Sequence, residues 1–135
     1  ILLGTGYSDL PDRIPIHFNA AGQPDGYGST GSILILFGIQ LAIAIGVWLF
    51  TLYPHHHNYA FEITAENAQK VYANSIQLLN GVNAVCTAFF AYMIHTNMAV
   101  AKGEATGLGT YSLWIFLGCL FALMGFFIWR SYQFK

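Results

Sequence analysis

The chain reads as an all-α integral membrane protein, a helical bundle of three transmembrane helices with an ordered Pro/Gly-rich loop outside the bilayer. Three observations predict this. Of 135 residues, 56% are apolar, 16% aromatic and only 8% charged, against roughly 25% charged in soluble domains. Residues 33–53 and 111–132 are apolar runs of bilayer-spanning length, and residues 65–101 carry a helical pattern without a breaker. A soluble fold with so few charges would expose broad apolar patches, which a bilayer accommodates. The length suits a single membrane domain over residues 1–135. A net charge of −1 with no basic cluster gives no reason to expect nucleic acid.

The first residues, Ile1, Leu2 and Leu3, resemble the last turn of an apolar segment, and a truncated fourth helix is the expectation there. Residues 7–32 then form a polar loop dense in turn-formers. Pro11, Pro15 and Pro24 bias their predecessors towards extended backbone, and Gly22, Gly26, Gly28 and Gly31 permit tight turns. Pro24, Asp25 and Gly26 read as a turn, and Ile14, Ile16 and Phe18 as one apolar side of a short extended piece. Such a loop should fold back over the end of the bundle. His17 with Asp12 or Asp25 could hold a metal, but no established ligand spacing supports one. A hydrogen bond from His17 or Asn19 that locks the loop is the favoured reading.

The first span, residues 33–53, is about 31 Å long as a helix, the thickness of the hydrocarbon layer. Gln40 is its one strongly polar member and Pro54 ends it. Residues 54–64 form a loop in which His55, His56 and His57 suggest a solvated interface, because three consecutive histidines cannot all face one ion from a regular element. Thr64 is the expected N-cap of the long helix, with Asn67 where a capping box would carry Glu or Gln. That helix exceeds what a bilayer needs, so only about residues 75–99 should be embedded. Residues 102–110 loop to the last span, whose Tyr111, Trp114, Trp129 and Tyr132 fit interfacial aromatic belts. Cys86 and Cys119 fall inside spans and read as buried free thiols.

Plotted at about 100° per residue, the long helix separates two faces. Asn74, Gln77, Asn80, Gly81, Ala84, Thr87, Ala88, Ala91 and His95 form a small and polar face. Leu78, Leu79, Val82, Cys86, Phe89, Phe90, Met93 and Ile94 form a bulky one. The small face is expected to turn inward, meeting Gly38, Ala42 and Gly46 on the first span and Gly118, Ala122 and Gly125 on the third. Asn80, Ala84 and Ala88 are the expected seam residues of the long helix. His95, on that stripe, would be the ligand if haem or chlorophyll were bound, but no cofactor is expected from a lone histidine.

The stretch LPDRIPIHFNAAGQPDGYGS resembles the signature of the DUF1648 family, an uncharacterised bacterial membrane domain whose pattern runs LP-x-x-IP-x-HFN-x-x-G-x-PDGYGSK. Leu10, Pro11, Ile14, Pro15, His17, Phe18, Asn19, Gly22, Pro24, Asp25, Gly26, Gly28 and Ser29 match it, and Thr30 replaces the usual lysine. Residues 58–68 also resemble the family's linker, and its members usually carry an apolar span before the motif. The resemblance implies a bacterial inner-membrane protein, and relatives of the SdpI type confer immunity to a secreted toxin. The expected function is a non-enzymatic accessory or scaffold subunit packed against larger partners, as in a respiratory or photosynthetic complex. An SdpI-type immunity or sensor protein is the alternative, and a metal- or pigment-binding subunit using His17 or His95 a third. Lipid and other membrane subunits are the expected partners, and a small-molecule substrate is not expected. Arg13 and Lys102 lie on one side of the membrane against Lys70, Arg130 and Lys135 on the other, a bias that places the signature loop outside the cytoplasm.

Overall fold

The computed structural model describes residues 6–135, so the expected truncated helix at Ile1, Leu2 and Leu3 lies outside the described residues. Two strands, β1 (Arg13–Phe18) and β2 (Pro24–Ser29), precede three helices, α1 (Ser32–Thr51), α2 (Ala68–Ala101) and α3 (Ser112–Tyr132). A one-turn 3-10 helix at Pro54–His56 follows α1. All three α-helices are long and apolar enough to cross a membrane. The protein is a helical membrane protein, and the ordered loop outside its spans is a two-stranded antiparallel hairpin.

Helix α2, at 34 residues, is about 51 Å long and overreaches a bilayer core of about 30 Å. Its start is better fixed than the sequence suggested. The Thr64 N–H donates to Asn67 Oδ1 (2.9 Å) and the Asn67 N–H to Thr64 Oγ1 (3.3 Å), a reciprocal pair in the turn ahead of α2, whose N-cap is Asn67 rather than the expected Thr64. The aromatic residues at the ends of α3 face outward, with Tyr111, Trp114, Trp129 and Tyr132 all exposed, as a belt at the lipid interface requires.

The helices form a row, with α2 in the middle. Helix α1 reaches α2 through Gln40, whose Nε2 donates to Thr87 Oγ1 (2.7 Å), and through Asn83, whose Nδ2 donates to the Ala44 carbonyl (3.4 Å). Helix α3 reaches it through Asn74, whose Nδ2 donates to the Phe127 carbonyl (3.0 Å), and through Arg130, which donates to Gln77 Oε1 (2.8 Å). Phe89 stacks on Phe116 at 4.1 Å between ring centroids, and Leu123 packs against Gly81. Asn83 and Gly81 are two positions apart, about 160° around the helix, so α1 and α3 contact opposite faces of α2.

This geometry corrects the expected seams. A side chain placed on Gly38, Gly46, Gly118 or Gly125 would meet nothing within 4 Å, and Ala42 and Ala122 are exposed. On α2, Asn80, Ala84, Ala88, Ala91 and His95 are exposed too, while Leu78, Leu79, Val82, Phe89, Phe90 and Met93 are partly covered and Ile94 is buried. The physical reason is that a middle helix has two neighbours and spends its bulky residues on both. Of the small and polar stripe, Asn74, Gln77, Gly81 and Thr87 do meet the neighbouring helices, as expected, whereas Asn80, Ala84, Ala88, Ala91 and His95 lie outside those contacts. Cys86 is partly covered, Cys119 is exposed, and both are free thiols.

The buried apolar core lies at the hairpin end. Ile14 of β1, Ile33 of α1, and Ile94 and Met98 of α2 form it, flanked by Tyr7, Leu10, Leu36 and Ala101. Along the spans the bulky residues face outward instead, with Ile35, Phe50 and Phe121 each more than 60% exposed.

Candidate functional site: the hairpin cap and the cavities beneath it

Residues 10–29, the stretch with the most specific chemistry, fold as the hairpin that covers the ends of the helices. The reversal is made by Asn19 rather than by Pro24, Asp25 and Gly26, which lie in β2. Asn19 Oδ1 accepts from the Ala21 and Gln23 N–H groups (2.9 and 3.1 Å), an Asx turn, while the Gly22 N–H donates to the Asn19 carbonyl. Gly22 has φ of +75°, which the turn requires, whereas Gly26, Gly28 and Gly31 do not take positive values. The expected apolar side of β1 is also broken. Ile14 is fully buried, but Ile16 is half exposed and Pro15 is buried in its stead. The strand register skips Ile16 between the pairs Pro15–Tyr27 and His17–Gly26, and this bulge rolls Ile16 outward over Gly28.

Four contacts fasten the cap. The imidazole Nδ1 of His17 pairs with the carboxylate of Asp25 across the strands, the histidine largely in solvent and the aspartate less than half so. The Thr30 hydroxyl donates to the Pro11 carbonyl and closes the base of the hairpin. The Leu108 N–H donates to the Gly22 carbonyl (2.8 Å) and latches the tip onto the α2–α3 loop. Asn97 of α2, only 3% exposed, donates through Nδ2 to the Pro15 carbonyl (2.8 Å). Asn97 and Asn83 escaped the sequence reading. Their signal was present in both cases, as an amide within a span, which must find a partner or face hydrocarbon.

One cavity lies under this cap and a second opens beside it. One of about 260 Å³ is bounded by His17, Asn19, Leu36, Met93, Asn97 and Leu113. A larger one of about 560 Å³ opens between α2 and α3, lined by Ala88, Tyr92, Thr110, Tyr111, Ile115 and Cys119 among others. The two meet at Phe89, Leu108, Gly109 and Ser112. The Asn97 carbonyl oxygen Oδ1 is buried without a hydrogen-bond partner. Tyr92 donates its hydroxyl to the Leu108 carbonyl, fixing the rim that both cavities share.

The remaining histidines are dispersed. His57 sits beyond α1, with Nε2 donating to the Phe50 carbonyl (2.9 Å); Nδ1 lies 2.7 Å from Ser75 Oγ. It thereby satisfies an end carbonyl of α1 and ties the loop to α2. His55 and His56 are exposed, their ring centroids 4.2 Å apart. His95 faces outward rather than into the helix row, a consequence of the same rotation of α2. Among the described residues, no three His, Cys, Asp or Glu side chains gather in a metal-binding arrangement. Tyr59, donating to the Pro54 carbonyl (2.8 Å), has its phenol held above the ordinary value by burial, against the opposing pull of Ser75.

With the cap described, its relatives can be placed. Residues 1–41 match the family described as Domain of unknown function (DUF1648). A 42-residue stretch is 48% identical to an uncharacterised protein of Archaeoglobus fulgidus, covering 29% of this chain and 23% of that relative. The chain thus matches less than a quarter of its relative's length. No solved structure matches.

Proposed function

We propose, for a chain whose first third carries the DUF1648 signature, a non-enzymatic role as a multi-pass membrane subunit that packs against other membrane proteins. One observation carries the reading: all three helices turn small-residue stripes outward. Gly38, Ala42 and Gly46 on α1, Asn80 and Ala84 on α2, and Gly118, Ala122 and Gly125 on α3 are left uncovered by their own chain. In a bilayer such stripes let helix backbones approach closely, and an exposed amide such as Asn80 gains by meeting a partner's polar group. The natural setting is the bacterial cytoplasmic membrane, with the hairpin outside the cytoplasm because the opposite end carries more Lys and Arg. Purification in mild detergent should recover a partner in fixed stoichiometry, and Asn80→Leu combined with Ala84→Leu should release it while the chain stays folded. Recovery of the chain alone from several mild detergents counts against the reading. So does a turnover that His17→Ala or Asp25→Ala abolishes without unfolding.

The hairpin favours a second reading, an SdpI-type immunity or sensor protein. Its outer surface presents His17, Asp25 and Tyr27, all exposed on a backbone pinned by four contacts. Deletion of the gene would then make cells sensitive to a secreted peptide, and no stoichiometric partner would accompany the chain. A haem or chlorophyll on His95 would have to lie between this chain and a partner, since the histidine faces outward.

A further inference from the structure

We propose that Ser75 is a nucleophile activated by His57, and that it accepts an acyl group from a fatty acyl thioester at the membrane interface. The two side chains meet at the end of the helix row opposite the hairpin, with His57 Nδ1 2.7 Å from Ser75 Oγ. The other ring nitrogen settles the tautomer. Nε2 lies 2.9 Å from the Phe50 carbonyl, which can only accept, so Nε2 carries the proton of the neutral ring. Nδ1 then presents its lone pair to the Ser75 hydroxyl. A hydroxyl donating to an imidazole whose other nitrogen is anchored has the geometry of an activated nucleophile. Tyr59 borders the same hydroxyl, but its own proton is given to the Pro54 carbonyl (2.8 Å), and burial keeps the phenol protonated. The imidazole is therefore the base.

A ligand space adjoins the serine. Ser75 is only partly covered, and with Tyr59, Phe61, Leu78, Phe127 and Tyr132 it lines a cavity of about 300 Å³, at the lower end of small-molecule sites. His57 is not among its walls, so the base leaves room for a ligand beside Ser75. Tyr132 belongs to the interfacial belt, which puts the cavity at headgroup depth. An acyl donor in the bilayer brings its carbonyl to that depth, with its chain along Leu78 and Phe127. In the transfer, Ser75 Oγ attacks the thioester carbonyl carbon and its proton passes to His57 Nδ1. The new O–C bond stays, the C–S bond breaks, and the leaving thiolate takes the proton from His57. Ser75 ends as an oxygen ester and the donor as a free thiol, with nothing oxidised or reduced. A single event of this kind, without turnover, goes beyond the packing role proposed above and is compatible with it.

Octanoyl-N-acetylcysteamine, a small thioester, tests this on the whole chain in phosphatidylcholine vesicles, with adducts mapped by peptide mass spectrometry. An octanoyl group should appear on Ser75 and survive neutral hydroxylamine, which cleaves the thioesters that the free thiols of Cys86 or Cys119 would form. The same chain unfolded in dodecyl sulfate should acquire it only at the background rate of its other hydroxyls. Ser75→Ala should abolish the adduct. His57→Gln, which keeps an N–H for the Phe50 carbonyl but supplies no base, should slow it by about a hundredfold. Adducts spread over many hydroxyls and lysines, or confined to the cysteines, overturn the proposal. An unchanged rate in His57→Gln overturns the role of His57. Thiol release continuing beyond one equivalent per chain upholds Ser75 as the nucleophile and overturns the non-enzymatic reading instead. The comparison of folded with unfolded wild-type chain stands even if a variant fails to fold.

Discussion

Single side chains in this protein carry structural duties that their chemistry makes specific. Asn97 is the plainest case, a buried amide joining α2 to a strand 82 positions earlier. Asn97→Ala removes the donor and leaves the Pro15 carbonyl unpaired, an expected loss of about 1–3 kcal/mol. Thermal unfolding in detergent micelles should read it, together with faster proteolysis of the hairpin. Thr64 does comparable work in the turn ahead of α2, and Thr64→Ala should cost about 1 kcal/mol by removing the acceptor of the Asn67 N–H. Tyr59 links stability to pH. Burial raises its folded-state pKa above that of the unfolded chain, so its contribution is complete below the ordinary tyrosine range and fades as pH rises through the folded value. Tyr59→Phe should flatten that alkaline limb of the stability profile, measured by unfolding across the same pH range.

Among the elements, the hairpin depends on two close approaches. A Cβ on Gly22 would stand 2.6 Å from the Gly109 carbonyl oxygen, and one on Gly107 only 2.2 Å from that of Gly22. Gly22→Ala also pays the left-handed backbone penalty of roughly 1–2 kcal/mol, so it should unlatch the tip while the helices persist. Hydrogen exchange should show protection lost at Leu108 and residues 19–23 alone. The helices themselves were legible from sequence, because a bilayer leaves a spanning backbone almost no other way to satisfy its polar groups. Their mutual faces were legible only in part, since Asn74, Gln77, Gly81 and Thr87 of the expected inward stripe make contacts and its other members do not. Lipid is as apolar as leucine, so a bulky stripe signals equally a neighbour or the bilayer. Asn83 and Asn74 mark the true contacts, and they stand on opposite sides of α2. Within the cap, the extended piece at β1 was readable but its partner was not. Pro24, Asp25 and Gly26 have turn chemistry, yet the side-chain cap of Asn19 and the positive φ of Gly22 already complete the reversal.

At the scale of the whole molecule, α2 is shared and its neighbours are separate. Asn83→Ala loosens α1 and Asn74→Ala loosens α3, and with no common partner their stability losses should add to within about 0.5 kcal/mol. A larger coupling in a double-mutant cycle would mean that α1 and α3 sense one another. The latch between Gly22 and Leu108 has a consequence in time. A growing chain makes the hairpin first, but its docking partner emerges 86 positions later, after two helices have entered the membrane. The tip must therefore wait, undocked, through most of synthesis. Nascent chains arrested before residue 102 should be cut readily at residues 19–23, and chains arrested well beyond residue 109 should resist. The closing of this cap would then record that the crossings of α1 and α2 were made correctly.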